Sequence, residues 1–254
     1  MAKKIEGLCQ FCLETKQLVS KSHIIPKSFL KWSKNEANSI TIISPEKKHW
    51  PANDFFFEGG ILCEDCECKF SKAENYTFRF LDKVQNEQIH PINEIPNPVG
   101  KVLHYNVNTT PVKKCLLSIL WRMSISKKDY FKFVDLGNAE IKLRNALWSD
   151  DFMKDKFFPI LIGTSKHINN IKARFIKVPN RKTRIKKHDA SVFEYEFLLP
   201  NFVILYYSTS NYNGSVEGLS LIENQNLLMY FENGKLTNEF YKKIIPSIPD
   251  IPRF

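Results

Sequence analysis

Two Cys-x-x-Cys pairs stand 51 positions apart in this chain: Cys9 with Cys12, and Cys63 with Cys66. A Cys-x-x-Cys turn aims two sulfurs at one point, and zinc takes four such sulfurs at about 2.3 Å in a tetrahedron. If both pairs bind one ion, the 50 residues between them form a loop that the ion closes. That is more than a plain zinc ribbon needs, so a segment is inserted between the turns. The alternative is two buried turns with no ion. Compartment weighs on the choice. The N-terminus MAKKIEGLCQ opens basic but lacks the apolar stretch of a secretory signal. The longest apolar run covers only 202–207, against about 20 residues for a spanning helix. A cytoplasmic protein with no membrane partner is expected, and in a reducing cytosol thiols are metal ligands or core residues rather than bridges. Cys115 lies in apolar helical sequence and reads as core. Cys68 reads as a bystander, with replacement of a named ligand as the alternative.

The chain has 254 residues, enough for one large domain or two small ones. An apolar fraction of 43% and an aromatic fraction of 13% exclude a disordered chain. The formal charge is 37 − 27 = +10, which favours an anionic partner such as nucleic acid. The excess is concentrated. Lys172, Arg174, Lys177, Arg181, Lys182, Arg184, Lys186 and Lys187 fall in 172–188 without one acid. Pro179 and Asn180 place a turn inside this run. It is either a phosphate-contacting hairpin or an ordinary solvated one.

Along the chain, 5–25 reads as a knuckle and a short strand ending over 19–25, followed by a helix from Pro26. Residues 39–44 alternate as a strand, and 45–60 read as loop. A helix is predicted over 63–84 from Cys66, Phe70, Ala73, Phe80 and Val84, with Glu64 and Asp65 in its first turn. Pro91, Pro96, Pro98 and Gly100 mark a linker. Helices follow at 113–125 and 138–148, strands at 158–162, 171–178, 191–199, 202–208 and 219–222, and a last helix at 237–245. Trp32, Trp50, Trp121 and Trp148 read as core anchors, and His90, His104, His167 and His188 as surface or core residues.

The order Cys9-x-x-Cys12, then Ser22-His23-Ile24-Ile25-Pro26, then Cys63-x-x-Cys66-Glu67 resembles the HNH (ββα-metal) endonuclease family, in its zinc-knuckle bacterial form. The likeness covers residues 8–80. The later stretch ILWRMSIS…LGNAEIKLRNAL is similar to a downstream domain of bacterial HNH proteins. The resemblance implies an α+β chain: a zinc-bound ββα-metal nuclease domain over 1–88, a linker over 89–112, and a helix-plus-antiparallel-sheet domain over 113–254.

It also implies an activity. His23 would be the general base on water, since an imidazole near neutral pKa suits that task. Structural Zn²⁺ would sit on Cys9, Cys12, Cys63 and Cys66. A catalytic Mg²⁺ or Mn²⁺ would bind the scissile phosphate through hard oxygen ligands. The positions matching the family's other ligands hold Ser22, Glu58 and Glu67, so acids stand where neutral ligands are common and Ser22 where an acid is. Asp54 or His49 could supply a missing ligand or be exposed loop side chains. Glu74, one face-repeat beyond Glu67, is about 10 Å along the helix and reads as a supporting contact or a surface salt bridge. DNA is the implied substrate. An anti-phage role beside an ATPase or sensor subunit is the implied setting. A catalytically inactive zinc module that binds nucleic acid, or one that docks a protein partner, are the alternatives.

Overall fold

The computed structural model describes residues 5–33, 40–43, 49–52, 57–97, 100–153, 158, 160–164, 175–177, 181–187, 190–199, 202–209, 222–223 and 226–232. The chain opens with an antiparallel pair, β1 (Ile5–Leu8) and β2 (Thr15–Leu18), joined by the first Cys-x-x-Cys turn. Leu13 closes that turn at φ 60, and its N–H donates to the Cys9 carbonyl at 2.9 Å. The two-residue strand β3 (Ser22–His23) leads into α1 (Lys27–Ser33). Strands β4 (Ile40–Ile43) and β5 (His49–Ala52) pair with one another, and β6 (Phe57–Glu58) returns to pair with β3. The stretch 45–60, which the sequence presents as loop, therefore contains β5 and β6.

Two glycines let the chain re-enter beside β2. A Cβ at Gly59 would lie 2.6 Å from the Ser20 carbonyl oxygen, and Gly60 sits at φ +80, a region that favours glycine. The Gly60 N–H then donates to the Val19 carbonyl, and the Val19 N–H to the Leu62 carbonyl. These bonds bring the second Cys-x-x-Cys pair alongside the first.

Helix α2 (Glu64–Gln85) follows, one residue from each predicted end. Three acids in its first turn suit the positive end of its dipole. Its buried side chains, Cys66, Phe70, Ala73, Thr77 and Phe80, recur at helical spacing. Next come β7 (Asn93–Asn97) and β8 (Gly100–Asn106), which form a hairpin within the stretch predicted as linker. The prolines misdirect the reading there because β7 is the last strand of its sheet. An edge strand tolerates a residue that donates no hydrogen bond, and Pro96 occupies such a place. At the other edge, β5 carries Pro51.

Helix α3 (Thr109–Ile125) is capped by the Asn108 side chain, which accepts from the Thr110 N–H at 3.1 Å. It is buried on every side from Cys115 to Met123, as a central helix must be. Helix α4 (Ala139–Ser149) ends at Asp150 in the left-handed region, φ 58. The remaining strands are β9 (Ile160–Thr164), β10 (Phe175–Lys177), β11 (Arg181–Lys187), β12 (Ala190–Leu199), β13 (Phe202–Thr209), β14 (Ile222–Glu223) and β15 (Asn226–Glu232). The predicted helix at 237–245 lies outside the described residues.

The fold is α+β. Its main sheet runs β5-β4-β10-β12-β13-β9-β15-β8-β7, with β11 also on β12 and β14 on β15. The sheet is mixed rather than antiparallel throughout: β10–β4 and β15–β9 are parallel. It also takes strands from both sides of the predicted linker. The basic run does not form a hairpin about Asn180. Strand β10 pairs with β12 at Lys177↔Leu198, and β11 pairs with the same strand from Arg181↔Tyr195 onward. The reversal falls between β11 and β12, so β10 and β11 lie end to end along one side of β12.

One continuous core runs from Cys9 to Tyr206. Phe11, inside the first Cys-x-x-Cys turn, meets Phe70 of α2 at 4.8 Å, Trp121 of α3 at 5.3 Å and Trp148 of α4 at 5.4 Å between ring centroids. Trp121 is fully buried, as expected. Trp148 is instead 47% exposed, with the Lys69 ammonium 3.5 Å from its ring centroid. The side chains of Trp32 and Trp50 lie outside the described residues.

Phe11 is thus the apolar rivet between the knuckle and three helices. Phe11→Ala should destabilise the chain by about 3–5 kcal/mol in guanidinium unfolding, the usual result of deleting a buried aromatic. A loss below about 1 kcal/mol would show that the turn and the helices are held together by other means.

Candidate metal centre and active site

The sulfurs of Cys9, Cys12, Cys63 and Cys66 all lie within 4.8 Å of one another, and Cys12 and Cys63 are 4.0 Å apart. A tetrahedral zinc–thiolate site has sulfur–sulfur edges of about 3.8 Å, so a small contraction on a bound ion satisfies the geometry. Cys63 sits at the N-cap of α2 without a side-chain capping bond, and its N–H donates to the Cys9 sulfur at 3.4 Å. Burial pushes the Cys9 thiol up, but backbone donors at Cys12, Cys63 and Phe11 outweigh it and leave the group at about 7. Burial, and then the neighbouring Cys63, push Cys66 up. Thiols packed this closely resist ionising together unless a cation shares their charge. The four cysteines could therefore hold a metal such as zinc. Cys68 is exposed and Cys115 is buried, and neither joins the cluster.

Glu67 follows the cluster by one residue and turns toward β3. Its Oε2 accepts from the Ser22 hydroxyl at 2.5 Å, and its Oε1 accepts from the His23 N–H at 3.3 Å. Ser22 is fully buried. Glu58 lies opposite Ser22 across the β3–β6 pair. Its carboxylate accepts from the Ser126 hydroxyl at 2.6 Å and from the Lys127 N–H at 3.1 Å, where α3 ends. His23 pairs with Phe57, and the two rings are 6.4 Å apart in an edge-on arrangement. Ser22 is thus joined to Glu67 and stands opposite Glu58 in the strand register, while the Glu58 carboxylate is bonded at the end of α3 and the His23 ring lies with Phe57. Among the described residues, the four cysteines form the group whose metal-ligating atoms converge.

The sequence reading missed Arg122. Its guanidinium is 1% exposed and donates to the His23 carbonyl and to Glu74 Oε1, each at 2.5 Å. It also donates to the Ser118 carbonyl and hydroxyl at 3.2 Å. Glu74 is therefore the ion partner of a buried arginine rather than a surface salt bridge. The signal was present: ILWRMS places a permanent charge within the apolar second half of the helix. Such a charge is kept only where a partner meets it. His23 is thus held from both sides of its backbone, by Glu67 at the N–H and by Arg122 at the carbonyl, while its ring is half-buried.

Asp54, Lys172, Arg174, His167, His188 and the side chain of His49 lie outside the described residues. For Arg181, Lys182, Arg184, Lys186 and Lys187 only the β11 backbone is described. His90 is exposed and His104 is half-buried.

No protein-family model, curated protein or solved structure matches the chain.

Purified protein should carry about one equivalent of metal with an all-sulfur X-ray absorption signature, and acid or a strong chelator should release it because the ligands must be deprotonated. Cys9→Ser should abolish stoichiometric binding and lower the melting temperature. A metal-free protein of unchanged stability would remove the site.

Replacing Arg122 with Met should destabilise the fold by about 3–5 kcal/mol, because Glu74 is left charged and unpaired. Adding Glu74→Gln to that variant should recover a large part of the loss. A double-mutant cycle without coupling would show that the pair contributes nothing.

Proposed function

We propose that this chain is an HNH-type endonuclease that hydrolyses phosphodiester bonds in DNA, with His23 as the base that accepts the proton of the attacking water. The observation that carries this reading is the double hold on the His23 backbone. A strand of two residues has little hydrogen bonding of its own, yet a carboxylate and a buried guanidinium fix this one at successive peptide groups. That arrangement fixes the backbone from which the ring projects and, among the described residues, leaves the ring nitrogens for a proton acceptor's task. The short antiparallel pair β3–β6 leading into α2 supports the same reading, since the resemblance implies a strand–strand–helix order. Zn²⁺ on the four thiols would be structural: it would tie the turn before β3 to the start of α2, and so fix Glu67 against Ser22.

The Mg²⁺ or Mn²⁺ implied by the resemblance would have to share carboxylates that already accept hydrogen bonds. Both oxygens of Glu67 accept hydrogen bonds from β3, and Glu58 is engaged by Ser126 and Lys127. This favours a second reading, a zinc-stabilised module that binds nucleic acid or docks a partner without cutting. In either reading the basic strand β11, paired on one side with β12, is a candidate contact for phosphates. An effector role in anti-phage defence beside an ATPase or sensor subunit rests on the resemblance.

Plasmid nicking in Mg²⁺ and in Mn²⁺ decides between the two. Wild-type protein should nick, and His23→Ala should slow nicking by about 10²–10⁴ while keeping its metal content and circular dichroism. Wild-type protein that stays inert with either ion while binding DNA supports the second reading. A His23→Ala variant that cuts at the wild-type rate refutes the assignment of the base.

A further inference from the structure

The face of α2 turned away from Glu67 and Glu74 borders a cleft of about 590 Å³, and Lys72, Asn75, Tyr76, Arg79, Phe80 and Lys83 form its helical wall. Ile89 and the end of β8 form the other side, with Asn106 and Val107. Helical spacing of 100° per residue puts Lys72, Tyr76, Arg79 and Lys83 on one stripe, roughly opposite Glu74. The three cations are exposed and none is paired among the described residues. Among the described residues, no acid lines the cleft. Glu87 and Glu94 act on the Tyr105 side, beyond Phe80.

Two features indicate what this cleft takes. The first is the spread of charge. At 1.5 Å per residue, Lys72 and Arg79 are about 10 Å apart along the axis, and Arg79 and Lys83 about 6 Å. They do not converge on one small anion. They follow a line, as the phosphates of a chain do. The second is Tyr76. Its hydroxyl accepts a hydrogen bond from the Asn108 N–H at 3.0 Å, which fixes the ring, yet the residue stays 37% exposed. An aromatic ring tethered at its tip and open to solvent, midway along a row of cations, is a stacking platform. Phe80, Ile89 and Val107 give the cleft an apolar floor, and Asn75 and Asn106 offer amides at its rim. A duplex keeps its bases stacked on one another and has no use for such a ring.

We infer that this cleft binds a single strand of nucleic acid, with one base stacked on Tyr76 and the flanking phosphates on Lys72, Arg79 and Lys83. The site is separate from His23 and from β10–β11, and it works whether or not the chain cuts. It would hold an unpaired strand on the far side of α2 from the proposed active site.

The test is fluorescence anisotropy with labelled oligo(dT), oligo(U) and a mixed-sequence duplex, using full-length His23→Ala protein so that no cleavage intervenes. Single strands should bind in preference to duplex, and the oligo(dT) and oligo(U) arms report whether DNA or RNA is preferred. Tyr76→Ala should weaken single-strand binding by about tenfold, while Tyr76→Phe, which keeps the ring, should not. Lys72→Glu, Arg79→Glu and Lys83→Glu should each flatten the slope of log affinity against log salt by about 0.7, the share of one phosphate on a single strand. The three cationic side chains are exposed, so their reversal should leave folding intact, and Tyr76→Phe, which removes the bond to Asn108 but keeps the ring, separates loss of that bond from loss of stacking. Wild-type affinity in Tyr76→Ala overturns the inference. So does loss of all single-strand binding on charge reversal in β11 with the cleft variants unaffected. Cleavage is scored separately on wild-type protein: if the wild-type chain is inert yet Tyr76→Ala still loses oligo(dT), the cleft stands and the nuclease falls.

Discussion

A guanidinium buried to 1% exposure between α2 and α3 organises the site more than any other group. Moving a full charge out of water is unfavourable by several kcal/mol unless partners surround it. Arg122 satisfies that demand with Glu74, with Ser118 of its own helix, and with the carbonyl of His23. The last partner bears most directly on the proposed site. It couples the position of a two-residue strand to the packing of the two longest helices. The histidine cannot shift without uncovering a charge, so the stability of the core and the placement of His23 are one quantity.

The cysteine cluster acts on the same strand from the other side. Cys66 and Glu67 are adjacent on α2, so an ion that fixes the cysteine also fixes the carboxylate that accepts from Ser22 and His23. Phe11, between Cys9 and Cys12, carries the same restraint into the aromatic core. Three kinds of interaction thus meet at one short segment: the packing of four thiols, a buried ion pair, and ring packing. None of them lies within the segment itself.

This is why the sequence disclosed some parts and hid others. The four cysteines were legible because two Cys-x-x-Cys turns at this spacing have few other uses. Helix α2 was legible because Cys66, Phe70, Ala73 and Phe80 repeat at its period. Strands β3 and β6 were not, since two residues have no period to read. Arg122 was visible as a charge in an apolar run, but its three partners come from 23, 74 and 118, and only folding joins them. At 172–188, the turn predicted from Pro179 and Asn180 lies outside the described residues, between β10 and β11. What local chemistry could not say is that both sides of the interruption pair with β12. A turn signal locates a break in a strand and is silent about the strand's neighbour.

The ends of the main sheet have a consequence for how this molecule meets others of its kind. An open row of backbone donors and acceptors invites another chain to zip on, and here three of the outer strands carry a feature that opposes it. Strand β5 carries Pro51, β7 carries Pro96, and β11, whose partner among the described residues is β12 alone, reads Arg-Lys-Thr-Arg-Ile-Lys-Lys. Two borders lack a donor where an incoming strand would need one. The sequence of the third is basic and carries no acid. Fibre growth by strand addition and swapping of edge strands between copies are both discouraged, so a crowded cell can hold many copies of this sheet without their fusing.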